Sequence, residues 1–276
     1  MGMPRTYRVD LETLYYERAA DAVVVLTLNR PDRGNGVVPE LARDLLEAIT
    51  ALEADTSVRC LVLTGAGAQF CAGADLKAMR EYLDHELPVT EEPYNARVLF
   101  PVTQRIVSSR LPLIAAINGG ATAGGLDMAL ACDLRIASAK AKMGETYIKL
   151  GLPPGNGGAW FMPRLLGSGL AAELALTGDL IDADRALEIG LVNRVVQAGD
   201  LIPTTVDLAS RIAAHSWRAI EATKQALRAT WQVDLPTALN TNYWSAAALH
   251  HGRDVSEGVD AFLERRTPEF NRSPTG

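Results

Sequence analysis

Cysteine and histidine are scarce in this chain of 276 residues: three cysteines (Cys60, Cys71, Cys132) and four histidines (His85, His215, His250, His251). The cysteines form no C-x-x-C pair and their number is odd, which excludes a simple disulfide framework and fits a reducing, cytoplasmic compartment. The histidines lack H-x-x-x-H spacing, so no metal site is expected; the pair at 250–251 reads as a polar helix edge. Long apolar runs are also missing. The most apolar stretch, Leu113 to Cys132, is broken by Asn118, by glycines and by Asp127, whereas a membrane span needs about 18 apolar residues in succession. Met1 to Asp10 is polar and has no signal-peptide centre. The glycine loops carry neither the G-x-G-x-x-G nor the G-K-[ST] arrangement of nucleotide-binding turns.

What is present is the make-up of a globular protein. Hydrophobic residues are 48% and charged residues 22%, enough apolar surface to offset the entropy of ordering. Lys and Arg total 27 against 33 Asp and Glu, a net charge of −6. An overall negative field disfavours nucleic-acid and anionic-membrane partners but leaves room for a local basic pocket.

Residues 22–28 form a dense β-branched run that ends in Asn29-Arg30-Pro31-Asp32, a strand entering a polar turn. Pro39 then opens a helix with Leu41, Leu45, Ile49 and Leu52 on one stripe. Further short buried strands are read at 60–64, 113–117 and 134–137. Two helical pieces fall within 76–110, around an acidic, proline-bearing stretch from Glu81 to Pro93 expected to be a mobile surface segment. Another helix runs from about Gly124 to Cys132. This alternation predicts an α/β fold with parallel strands. From about residue 200 the pattern becomes helical only, with segments at 205–214, 217–231, 236–250 and 255–265. The expected division is therefore 1–200 and 201–276.

Two loops of small residues invite chemistry. One is Phe70-Cys71-Ala72-Gly73-Ala74-Asp75-Leu76; the other is Asn118 to Asp127, which opens a helix. Small side chains let a ligand approach the backbone, and the first amides of a helix are free donors. Side by side, two such loops can aim two N–H groups at one oxygen. Read alone, each loop is also explained as a tight strand-to-helix turn, and Asp75 as the cap of the helix after it.

A wider set of motifs goes further. Asn29-Arg30-Pro31 with Asn35, the FCAGADL run at 70–76, the stretch 113–138, Met143-Gly144-Glu145, Gly151 to Gly158, Leu176-Thr177-Gly178, Glu257-Gly258 and Ala261 to Arg266 occur in this order. Together they resemble the crotonase, or enoyl-CoA hydratase/isomerase, family over roughly residues 15–270. The resemblance implies a crotonase-like spiral of repeated ββα units followed by C-terminal helices that build a homotrimer or a dimer of trimers. It implies an acyl-CoA thioester as substrate, CoA being part of that substrate, with no metal or redox cofactor.

Position by position, the resemblance places the oxyanion-hole amides at Ala74 and Gly124. It places the acid/base carboxylate at Asp127, where family hydratases have glutamate, and puts Tyr147 at their second glutamate. A phenol with a pKa near about 10 is no substitute for a carboxylate, which leaves Glu145, two residues earlier, as a possible partner that an extended backbone would turn to the same face. The CoA contacts implied are Arg30, Arg33, Ala72 and Asp75 near the first turn, and Phe262 with Arg265 or Arg266 from the C-terminal segment. The stretch from Lys77 to Arg97 is expected to roof the acyl pocket. The expected activity is 2-enoyl-CoA hydration. The alternatives are a double-bond isomerase or C–C lyase or hydrolase of the same family, and, from another class, a non-catalytic acyl-CoA-binding protein.

Overall fold

A computed structural model describes residues 7–84, 94–229 and 231–271. The chain opens with strands β1 (Arg8–Asp10), β2 (Leu14–Ala20) and β3 (Val23–Leu28) and helix α1 (Pro39–Ala54). Then follow β4 (Cys60–Gly65), β5 (Gln69–Cys71), α2 (Leu76–Asp84), α3 (Tyr94–Val98) and α4 (Phe100–Ser108). The next block is β6 (Leu113–Ile117), β7 (Gly120–Thr122), α5 (Gly124–Ala131), β8 (Leu134–Ser138) and β9 (Lys142–Gly144). After it come α6 (Gly158–Leu166), α7 (Ser168–Thr177), β10 (Ile181–Asp182), α8 (Ala183–Glu188) and β11 (Arg194–Val196). The chain ends in α9 (Leu201–Ala213), α10 (Trp217–Ala229), α11 (Leu235–His250) and α12 (Arg253–Glu264).

The strands divide between two sheets, ordered β1-β2-β3-β4-β6-β8-β11 and β10-β9-β7-β5. Three times the chain lays one strand in the large sheet, the next in the small sheet, and then turns into helix: β4–β5, β6–β7 and β8–β9. This is the repeated ββα unit expected from the resemblance. The strands from β3 to β11 in the large sheet run parallel.

The buried run of β3 shows why the apolar stretch is continuous rather than alternating. Val24, Leu26 and Leu28 face one core with Leu41, Leu45, Ile49 and Leu52 of α1. Val23 and Val25 face a second core with Leu201 and Ala209 of α9. A parallel sheet is covered on both sides, so each of its faces must be apolar. Each fully buried Leu or Ile of the α1 stripe contributes roughly 1.5–3 kcal/mol. Helix α9 thus covers the sheet, while α10, α11 and α12 extend beyond it. The acidic stretch expected to be mobile lies, from residue 85 to residue 93, outside the described residues, as does much of the expected roof over the acyl pocket.

Candidate active site

The two small-residue loops meet. Asn35, fully buried and in the left-handed region at φ 53°, ties the turn after β3 to the β4–β5 connection. Its side-chain amide donates to the Ala66 and Gln69 carbonyls at 2.9 and 2.7 Å, and its oxygen accepts from the Arg30 N–H at 2.9 Å. Val37 then pairs with Ala74 as a parallel bridge, its N–H donating to Gly73 O at 2.7 Å and its carbonyl accepting from Asp75 N–H at 3.0 Å. With those neighbours turned toward Val37, the alternation of an extended backbone turns the Ala74 N–H away from it. The second loop lies close to the first: a Cβ on Gly73 would sit 3.0 Å from the Gly124 nitrogen.

Gly124 is the first residue of α5, so its N–H has no acceptor within the helix. Ala123 just before it has φ 47° and ψ −122°, a strained conformation for a residue with a side chain. Its N–H donates to Gly144 O at 2.9 Å and its carbonyl accepts from Asp127 N–H at 3.0 Å. The strain therefore sits where the chain turns from β7 into α5, at the approach to Ala74.

Asp127 follows in the first turn of α5 and is fully buried. Its Oδ2 accepts from the Tyr147 hydroxyl at 2.5 Å, and that hydroxyl in turn accepts from Asn156 Nδ2 at 2.7 Å. A Cβ on Gly124 would lie 3.2 Å from the same hydroxyl and would strike Leu99, so this chain of hydrogen bonds reaches the opening of α5. Glu145 is also fully buried, and neither of its oxygens, nor Asp127 Oδ1, is paired in a hydrogen bond. A Cβ on Gly158, the first residue of α6, would sit 2.5 Å from Glu145 Oε1 and 2.6 Å from Asp127 Oδ1. The two carboxyls therefore flank one glycine.

Burial pushes the pKa of Asp127 up, while the Tyr147 hydroxyl and the Gly158 amide hold it back. Burial pushes Glu145 up further, and the neighbouring charge of Asp127 adds to the push. Burial and then Asp127 raise Tyr147 as well, so it stays a neutral phenol.

Asp127, Tyr147 and Glu145 thus come together as expected, with one difference in the local backbone. Glu145 precedes a short 3-10 turn, Thr146–Leu150, with φ −85° and ψ 75°; it does not share an extended strand with Tyr147, and the two side chains converge on Asp127 through a bend. Asn156, Gly158 and Leu99 carry parts of the site that the sequence reading did not assign. A polar side chain within the run Gly155-Asn156-Gly157-Gly158 was the one visible signal.

Of the residues expected near CoA, Arg30 and Arg33 pair with Asp75 at 3.0 and 2.9 Å. Asp75 also caps α2, accepting from Lys77 and Ala78 N–H at 3.0 and 3.3 Å. Both arginines are thus already partnered by a carboxylate, although Arg33 keeps about a third of its side chain exposed. Ala72 is exposed beside them. Phe262 is 83% exposed near the end of α12. Arg265 ends that helix in the left-handed region, and Arg266 forms a two-point ion pair with Glu257 at 2.6 and 3.0 Å. None of these three joins the buried cluster.

Two interleaved sheets thus bring the first amide of a helix close to a neighbouring loop and enclose a buried carboxylate in that helix's first turn. The family model for enoyl-CoA hydratase/isomerase matches residues 18–273. Crotonyl-CoA hydratase of Syntrophomonas wolfei is 36% identical over 251 residues, 91% of this chain and 95% of that protein. 1,2-Epoxyphenylacetyl-CoA isomerase of Escherichia coli is 36% identical over 249 residues, 90% of this chain and 94% of that protein. The crystal structure of an enoyl-CoA hydratase from Bacillus anthracis superposes with a TM-score of 0.85 at 35% identity, covering 94% of this chain and 99% of that one. The chain belongs to the enoyl-CoA hydratase/isomerase family, in accord with the acyl-CoA-processing enzyme expected from its motifs.

Proposed function

We propose that the protein hydrates a 2-enoyl-CoA thioester. The thioester oxygen accepts hydrogen bonds from the Ala74 and Gly124 amides, which form the oxyanion hole, and the positive end of α5 adds to their pull. The Tyr147 hydroxyl donates a hydrogen bond to Asp127 and accepts one from Asn156, so its oxygen keeps one acceptor position for a water. Asp127 takes a proton from that water as the water oxygen bonds to C3. The C2=C3 electron pair moves toward the thioester oxygen as an enolate. The proton then passes from Asp127 to C2, which completes the addition of one water. Proton transfer and enolate stabilisation by amides require neither metal nor redox cofactor; CoA enters as part of the substrate.

Ala72, Arg33 and Arg30 border the CoA path in this reading, with Asp75 fixing the arginines. Phe262 and Arg265 or Arg266 meet CoA from a neighbouring copy in a trimer or a dimer of trimers. The helical region 201–276 builds that assembly, and the free thiols suit a cytoplasmic setting.

The observation that carries the reading is the hydrogen-bonded line Asn156–Tyr147–Asp127, whose phenol hydroxyl lies 3.2 Å from the position a Cβ on Gly124 would take. The test is incubation with crotonyl-CoA while following the absorbance of the conjugated double bond. Hydration removes that absorbance. Conversion of a 3-enoyl-CoA into the conjugated isomer without hydration assigns the isomerase instead, and tight acyl-CoA binding without turnover assigns a binding protein.

A further inference from the structure

Glu145 takes no part in the steps above, yet it is as fully buried as Asp127. Both of its oxygens lie inside the protein unpaired in a hydrogen bond, against Asp127 Oδ1, which is unpaired as well. Two ionised carboxylates do not share such a space. Their repulsion and the cost of desolvating both force a proton onto one of them. The surroundings decide which. Asp127 receives the Tyr147 hydroxyl at 2.5 Å, and the backbone N–H groups of Gly158 and Asn156 also favour its ionised form. Facing Glu145 are Asp127 from α5, Tyr147 from the turn and Gly158 from the start of α6, and the group whose charge acts on it is Asp127.

The geometry points to Glu145 as a positioning residue that remains a neutral acid and donates its carboxyl O–H to Asp127 Oδ1. Asp127 then carries the single negative charge of the site. Its two oxygens are held by two donors, the Tyr147 hydroxyl and the Glu145 carboxyl. This fixes its orientation and keeps it ionised in spite of burial. Glu145 touches no substrate and transfers no proton to it. The catalytic consequence rests on the hydratase reading; the location of the proton does not.

The experiment has two arms. In the first, infrared spectra of the resting full-length protein are recorded against Glu145→Gln in light and heavy water at neutral pH. A carbonyl stretch of a protonated carboxylic acid, sensitive to deuterium and missing from the variant, is expected. Absence of that band from the unaltered protein overturns the assignment, and so does its persistence in Glu145→Gln.

The second arm compares kcat profiles against pH. Glutamine keeps a donor for Asp127, so Glu145→Gln should stay within about tenfold of the parent kcat with KM unchanged. Glu145→Leu removes the donor; the acidic limb of kcat should move up by about one pH unit and kcat should fall by about 10²-fold. Loss in Glu145→Gln as deep as in Asp127→Asn would show that Glu145 acts as a base and overturn the proposal. If Glu145→Leu does not fold, the infrared arm on the unaltered protein decides. A deuterium-sensitive band in a protein that hydrates no enoyl-CoA refutes the hydratase reading and keeps the proton assignment.

Discussion

In the proposed hydration Asp127 carries the chemical burden, because Tyr147 is a phenol and Glu145 is assigned to hold Asp127 rather than to meet the substrate. Asparagine at 127 keeps size and hydrogen bonding but accepts no proton at neutral pH. General acid/base contributions run at about 10²–10⁴-fold. Asp127→Asn should lose kcat in that range with acyl-CoA affinity little changed, read by steady-state kinetics beside equilibrium binding. Tyr147→Phe should cost less, since it removes one hydroxyl and leaves the ring in place. Asp75 offers a contrast between structural and catalytic acids. Burial pushes its pKa up, but the Arg33 hydrogen bond, the Ala78 amide, Arg30 and the Lys77 amide outweigh burial and hold it at about 2, against an ordinary 3.8. A folded-state pKa below the unfolded one stabilises the fold at neutral pH, and that contribution fades as pH falls from about 4 to about 2. Asp75→Asn should therefore lose about 1–2 kcal/mol at neutral pH by denaturant titration and show a flatter stability curve across that acid window.

The elements that bring these residues together were unequally legible. β3, β4, β6 and β8 announce themselves as short, dense apolar runs because each is buried on both faces. β5, β7, β9 and β10 have two or three residues each, too few to show a period, so the second sheet was invisible without the family resemblance. Glycines at 157 and 158 and Pro163 within α6 hide the helices between residues 158 and 177. The starts of α5 and α6 matter most to the chemistry, and each can be probed. At 124 any side chain meets Leu99 and the Tyr147 hydroxyl, so Gly124→Ala reports that crowding alone. Gly124→Pro also removes the N–H. Proline should lose at least about 10²-fold more in kcat than alanine if that amide holds the oxyanion, once circular dichroism shows both variants folded. At 158 an added Cβ would reach Glu145 Oε1 at 2.5 Å and Asp127 Oδ1 at 2.6 Å, closer than such contacts allow. Gly158→Ala should therefore prise the carboxyl pair apart and lower kcat by about tenfold or more, while α6 keeps its helix content.

At the scale of the molecule, the unresolved demand is the apolar surface of the C-terminal helices. Leu235, Leu239, Tyr243 and Trp244 lie exposed along α11, and Val259, Phe262 and Leu263 along α12. Spacings of three and four residues gather Leu235, Leu239 and Tyr243 on one face of α11, with Trp244 at its edge, and Val259, Phe262 and Leu263 on one face of α12. A groove of about 1840 Å³ between the tail and the body is lined by Trp217, Phe262, Leu263 and Phe270 with Arg59 and Arg110. Its lining includes neither of the buried carboxyls. Contiguous apolar surface beyond a few hundred Å² marks an interaction face, which in the proposed trimer or dimer of trimers would meet a second copy of the chain. Deletion of the whole tail is a poor test, because α9 covers the large sheet and its loss would open the core. Charges placed on the outer helices are cleaner. If the parent runs as three or six copies by light scattering, as proposed, the triple variant Tyr243→Glu, Trp244→Glu, Phe262→Glu should run as a monomer. Its circular dichroism should be unchanged. If a neighbour's Phe262 and Arg265 or Arg266 complete the CoA path, KM for the acyl-CoA should rise by about tenfold, equivalent to about 1.4 kcal/mol, with kcat falling less because the Ala74, Gly124 and Asp127 groups lie within one chain. A parent protein that is itself monomeric at micromolar concentration, or a dispersed variant with unaltered KM, would remove the neighbour from the site.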